Sequence, residues 1–185
     1  MDRWFILTNI IVSKGEEMKR IAILVEDLYE DLELHYPLLR LKESGFETVL
    51  VGTEKGVEYT SKHGYPATSD LASDDVNAED YIAVIIPGGY SPDRMRRCRS
   101  TLDFVRRMDE QGKVVAAICH GPWVMASACN IKGKNLTSFF SIKDDLVNAG
   151  ARFVDAEVVV SGNLITSRTP DDLIAFTTAI IKALS

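Results

Sequence analysis

The chain has only three cysteines, Cys98, Cys119 and Cys129, and no pair of them stands at C-x-x-C spacing. That scatter excludes a disulfide framework and a cysteine-based metal cluster, and it suits a reducing cytoplasm where a lone thiol persists. A strong positive charge is also missing: 21 Lys and Arg stand against 27 Asp and Glu, leaving a formal net charge of −6. The densest basic stretch, Arg94 to Arg99, is short and carries no aromatics, so a nucleic-acid partner is not expected. Membrane insertion is not expected either. The apolar segment Trp4 to Val12 is interrupted by Thr8 and Asn9 and is too short to span a bilayer. It has one Arg against one Asp ahead of it and no small-residue cleavage site, which argues against a signal peptide. No G-x-G-x-x-G fingerprint appears, so the expectation is an enzyme without cofactor or metal.

What remains is 185 residues of ordinary globular composition, enough for one well-buried domain. Residues 1–17 read as an N-terminal extension that adds a packing segment, with Met18 as an alternative natural start. Residues 18–185 read as a single domain without repeats or linkers. Arg20 to Glu26 is a continuous apolar run ending in charge, the pattern of a central parallel strand buried on both faces. Leu32, Pro37, Leu38, Leu39 and Leu41 then recur at helical spacing up to a stop at Gly45. Phe46 to Val51 gives a second strand, so the chain opens β-α-β and points to an α/β fold. Residues 57–70 read as a hairpin excursion, and Tyr81 to Ile86 as a third strand ending at Pro87-Gly88-Gly89. A helix is expected over Ser100 to Gln111, a fourth strand over Lys113 to Ile118, and a helix over Trp123 to Cys129. Further on come a short helix near Ile142 to Asn148 and a hairpin around Ser161-Gly162-Asn163. The last helix, Asp171 to Leu184, has Thr169 as its expected N-cap and Pro170 at its first position.

The chemistry concentrates in Val114-Val115-Ala116-Ala117-Ile118-Cys119-His120-Gly121-Pro122. A buried strand ends at a potential nucleophile and a helix begins at once, as in a nucleophile elbow. Ala117 and Gly121, two positions either side of Cys119, leave room for the tight turn. A sulfur at a helix N-terminus faces unpaired N–H groups and the positive end of the dipole, which favours the thiolate. Against this stands the common fate of a lone cysteine, burial in the core. His120 is a candidate general base, or only a residue that orients the loop. Gly88 and Gly89 make a tight turn, or bring backbone donors to a developing oxyanion. Glu30, Asp31 and Glu33 complement the dipole of the first helix, or place a protonated carboxyl beside the sulfur. Because sites in open α/β sheets form at the carboxyl ends of strands, these groups should share one pocket.

These residues resemble the PfpI intracellular protease family of the ThiJ/PfpI superfamily, from about Met18 to the C-terminus. The likeness rests on Tyr29-Glu30-Asp31-Leu32-Glu33 with Pro37, Lys62-His63-Gly64-Tyr65, Pro87-Gly88-Gly89 and Ala117-Ile118-Cys119-His120-Gly121-Pro122. It continues through Lys143-Asp144-Asp145 and Val154-Asp155-Ala156-Glu157-Val158-Val159-Val160. The resemblance implies a three-layer sandwich, a mostly parallel flavodoxin-like sheet of the class I glutamine amidotransferase type with helices on both faces. It implies Cys119 as nucleophile, His120 as its histidine, and Glu33, with Glu30 nearby, as the carboxyl that contacts sulfur. Gly89 and the backbone of His120 correspond to oxyanion donors, and Gly88, Gly121, Phe139 and Trp123 to pocket residues. Asp93 corresponds to an acid supplied by an adjacent subunit, which implies a homo-oligomer, a dimer or a hexamer. Two positions depart from the family pattern: Asp93 replaces the usual Glu, and Phe139 stands where Tyr or His is usual.

Three functions compete. The leading expectation is a peptidase-type cysteine hydrolase acting on peptide bonds. A glyoxalase or protein deglycase would use the same thiolate on methylglyoxal or its protein adducts. A stress chaperone or redox sensor would instead oxidise Cys119 beside Glu33.

Overall fold

The computed structural model describes residues 19–185, so the expected extension lies outside the described residues. In chain order the strands are β1 (Arg20–Leu24), β2 (Glu47–Gly52), β3 (Glu58–Thr60), β4 (Pro66–Thr68), β5 (Leu71–Ala72) and β6 (Ala83–Ile86). They continue with β7 (Val114–Ile118), β8 (Asn135–Leu136), β9 (Arg152–Phe153), β10 (Val158–Ser161) and β11 (Leu164–Ser167). The helices are α1 (Asp31–Glu43), α2 (Ser91–Met95), α3 (Arg99–Glu110), α4 (Pro122–Ala128), α5 (Lys143–Asn148) and α6 (Leu173–Leu184). Seven strands form one sheet in the order β10-β11-β7-β6-β1-β2-β5. Only the β10–β11 pair is antiparallel; the other neighbours are parallel.

The layering follows from strand alternation. In and just past β1, Ile21, Ile23 and Val25 face one core while Ala22 and Leu24 face the other. The first core is closed by Leu34 and Leu41 of α1 and by Phe176 and Ile180 of α6. Phe104 and Met108 of α3, Val124 of α4 and Leu146 of α5 close the second. A strand buried on both sides needs an unbroken apolar run, which is what Arg20 to Val25 supplies.

Several local expectations change. Leu32 and Leu39 point to solvent, 57% and 65% exposed, while Glu33 and Leu34 turn inward. The face of α1 is therefore rotated from the one inferred from its leucines, and it carries a carboxyl into the protein. Arg94 to Arg99 runs from the end of α2 through a short turn to the start of α3. Thr169 caps a 3-10 turn at Pro170–Asp172 ahead of α6, and its side chain makes no capping hydrogen bond.

The β3–β4 hairpin is tied down at the carboxyl end of β1. Leu28 N–H donates to Thr60 O at 2.7 Å and Lys62 N–H to Tyr29 O at 2.9 Å. Ser61 is the pin: its Oγ donates to Asp31 Oδ1 at 2.6 Å and accepts from His63 N at 3.1 Å and Tyr65 N at 2.9 Å. Ser61 is 2% exposed, so its truncation strands these partners with little access to water. Ser61→Ala should lower stability by about 1–3 kcal/mol. Urea unfolding measures the loss, and amide exchange should quicken at His63 and Tyr65.

Candidate active site

Three strand ends build the site. After β7, Cys119 takes a left-handed backbone with φ of 60°. It is held there by its own N–H donating to Ser167 O at 3.1 Å and by Phe139 N–H donating to its carbonyl at 2.9 Å. The turn needs Gly121: a Cβ there would lie 2.4 Å from Ile86 O and 2.8 Å from Ile118 O. After β6, Gly89 has φ of 76°, and a Cβ on it would meet Leu28 O at 2.3 Å. Leu28, just past β1, is the other described non-glycine residue with positive φ, at 65°. Strained backbone thus marks two of the three strand ends, as functional sites often show.

From the third side comes Glu33, in the first turn of α1 and wholly buried. Its Oε2 accepts from Gly88 N–H at 2.7 Å, while Oε1 is buried without a hydrogen-bond partner. Burial pushes its carboxyl up to about 8; the Gly88 donor, Cys119 and Lys62 oppose the rise, and Glu30 adds to it. At neutral pH Glu33 therefore keeps its proton.

Cys119 departs from the expectation based on the helix dipole. Burial, then the Glu33 carboxylate, push its thiol up to about 12, against the pull of the Gly89 and His120 backbone N–H groups. The dipole of α4, a helix of seven residues, does not outweigh desolvation and a carboxylate. The two groups form a coupled pair that carries one negative charge after its first ionisation. With Glu33 protonated its repulsion of a developing thiolate vanishes, and the Gly89 and His120 backbone N–H groups favour the charge on sulfur.

His120 turns toward the sulfur, with Nδ1 3.2 Å from Cys119 Sγ. Its Nε2 lies 3.2 Å from Ser141 Oγ, and its ring stacks on Phe139 at 5.1 Å and meets Trp123 edge-on at 5.2 Å. Burial, then Lys62, lower its pKa, so the imidazole is neutral at pH 7. With its proton on Nε2 toward Ser141, Nδ1 is free to accept from the thiol. Asp93, on α2, is ion-paired with Arg97 and does not meet His120 within the chain. Ser141 holds that end of the ring instead. It went unnoticed in the sequence because a lone serine two residues past Phe139 carries no pattern.

Glu30, Glu33, Lys62, Gly89, Tyr90, Cys119, His120, Phe139 and Pro170 line a cavity of about 280 Å³. Glu30 caps α1 without a side-chain cap bond, its carboxylate reaching Lys62 instead. Gly88, Gly121 and Trp123, expected in the pocket wall, stand behind it. A Cβ on Gly88 would lie 2.6 Å from Glu33 Oε2 and 2.7 Å from Cys119 Cβ, so this glycine permits the contact between them. Trp123 packs, its indole N–H donating to Asp145 at 3.1 Å. Beyond Phe139 lies a second cavity of about 260 Å³, whose Arg168 is engaged by Asp155 and Asp172. It is lined by neither cysteine nor histidine, so the chemistry belongs to the first. Glu30, Asp31 and His63 place possible metal ligands within 4.8 Å of one another. Their contacts are already taken: Glu30 by Lys62, Asp31 by Ser61 and His63. That cluster anchors the hairpin.

Fold and site together define an α/β protein with a cysteine elbow beneath a buried carboxyl. The chain belongs to the DJ-1/PfpI family, whose model matches residues 19–183. Deglycase PfpI of Pyrococcus furiosus is 44% identical over 165 residues, 89% of this chain and 99% of that one. A Bacillus subtilis protein named "Putative cysteine protease YraA" is 48% identical over 158 residues, 85% of this chain and 94% of that one. Among solved structures, a two-domain protein of Anabaena variabilis with DJ-1/ThiJ/PfpI-like and ferritin-like domains superposes with a TM-score of 0.88 at 46% identity. The match covers 90% of this chain and half of that one. DJ-1beta of Drosophila melanogaster gives 0.84 at 30% identity, with 91% of each chain covered. Among the described residues no helix is long and apolar enough to cross a membrane.

Proposed function

We propose that the chain is a cysteine-dependent enzyme attacking carbonyl carbon, a PfpI-like hydrolase of peptidase type. The observation that carries this is the convergence on one sulfur of His120 Nδ1 at 3.2 Å and two backbone donors, Gly89 and His120. His120 takes the thiol proton as the Cys119 Sγ–carbon bond forms. The carbonyl oxygen gains the electron pair and is met by the Gly89 and His120 N–H groups. Collapse of that adduct expels the amine, which takes the proton back from His120, and water then releases the acyl group.

The same elbow supports a deglycase reading. Thiolate addition to an aldehyde gives a hemithioacetal, and the small cavity, about 280 Å³, suits a carbonyl compound of a few carbons. The name of the Pyrococcus furiosus relative favours it. Asp93 is half-exposed on α2 and is offered to His120 of a second copy, which makes the working unit a homo-oligomer. A single domain spanning 18–185, working in the cytoplasm, completes the proposal.

The deciding assay offers the purified protein a fluorogenic peptide and, separately, methylglyoxal adducts of N-acetylarginine, with Cys119→Ala as blank. Cys119-dependent peptide cleavage supports the hydrolase. Adduct consumption without cleavage overturns it in favour of the deglycase. Suppressed aggregation with neither activity points to a chaperone. A strictly monomeric solution mass removes the role of Asp93.

A further inference from the structure

The scheme above gives no part to Lys62, although it lines the reactive cavity from the turn of the β3–β4 hairpin. Its Nζ lies 2.7 Å from Oε2 of Glu30. The side chains are 39% and 13% exposed, so the pair is partly withdrawn from solvent and weakly screened by salt. Backbone bonds from the hairpin to Tyr29 and Leu28 hold the cation in place.

The charges facing the sulfur can be counted. Two carboxyls, Glu30 and Glu33, come from the start of α1, one ammonium from the hairpin, and one neutral imidazole from the elbow. At neutral pH Glu33 and the thiol both hold their protons, and the Glu30 carboxylate is the charge that Lys62 pairs with. Without Lys62 a thiolate formed in the reaction would face that carboxylate unbalanced. Glu30 disfavours ionisation of Glu33, Lys62 favours it, and Lys62 interacts with the Cys119 thiolate as well.

We infer that Lys62 is a positioning residue: by pairing with Glu30 at the cavity mouth, it eases the formation of a negative charge on the Cys119 sulfur. The inference rests on Cys119 being the nucleophile proposed above. It assigns work to the hairpin, which docks on the end of β1 and delivers a cation to an elbow built from the other half of the chain.

The test is the pH dependence of Cys119 alkylation by iodoacetamide, followed by mass spectrometry of the Cys119 peptide in the full-length protein. In Lys62→Met the midpoint should rise by about one pH unit, a roughly tenfold lower rate below it. Lys62→Gln should shift it in the same direction, which keeps the test decisive should the Met variant fold poorly. Lys62→Arg should stay within about twofold of the parent, because the charge is kept. Glu30→Gln combined with Lys62→Met should return the midpoint toward the parent's. An unchanged midpoint in both neutral variants overturns the inference. So does a shift that persists in full in the double variant, since the effect would then not pass through Glu30. Alkylation needs no substrate. A protein inactive on peptides and adducts but showing these shifts refutes the proposed function alone.

Discussion

Cys119→Ser should lower turnover of peptide or aldehyde substrates by at least about a thousandfold while leaving the melting temperature close to the parent's. The substitution is nearly isosteric, and serine meets the same left-handed backbone, with φ of 60°, that the cysteine already adopts. What it removes is the ionisable sulfur. A neutral imidazole 3.2 Å away can take a proton from a thiol that the Gly89 and His120 N–H groups help to ionise. The same imidazole is a poor match for an alcohol, whose proton leaves several orders of magnitude less readily. Steady-state rates on the active substrate, with thermal unfolding alongside, check both halves. Substantial turnover by the serine variant would show that the reacting atom is elsewhere.

Glu33→Gln should flatten the pH dependence of stability and make the protein more stable than the parent in mild alkali. The Glu33 carboxyl ionises at about 8 in the folded chain against 4.5 as its ordinary value. Below pH 4.5 both folded and unfolded chains hold the proton, and burial of the neutral acid is fully tolerated. Between the two values the unfolded chain releases a proton that the folded chain keeps, so stability falls as pH rises and the loss is complete above about 8. The span corresponds to a loss on the order of 5 kcal/mol. Glutamine keeps an oxygen for the Gly88 N–H but has nothing to ionise. Urea midpoints at pH 5 and pH 8.5 should therefore separate in the parent and coincide in the variant. Equal slopes in both proteins would mean that Glu33 is already ionised in the folded state.

Much of the architecture is legible in residue pattern because it follows from periodicity. Arg20 to Val25 can only be a strand buried on both faces, and Ile118-Cys119-His120-Gly121-Pro122 can turn so sharply only with glycine against Ile86 O. Two-residue strands such as β5, β8 and β9 carry no period to detect, and neither does the five-residue α2. The site was harder to read for a different reason. Cys119, His120, Glu33 and Gly89 carry local signals, but the ionisation of the thiol depends on burial and on Glu33 reaching it from α1. Lys62 becomes part of the site only when the hairpin docks, and Ser141 only when its loop folds over the elbow. The outward turn of Leu32 and Leu39 has the same origin: placing Glu33 under Gly88 fixes the rotation of α1, and two leucines follow it to the surface.

The bond from Cys119 N–H to Ser167 O carries a consequence for how the protein is made. Ser167 closes β11, the strand that borders β7 and is synthesised after the elbow. A nascent chain that has exposed the elbow but not yet Ser167 lacks the partner that holds the cysteine backbone in its strained shape. Its thiol then behaves as an ordinary one, without the arranged imidazole and backbone donors. The arranged site is complete only when β11 is laid down beside β7.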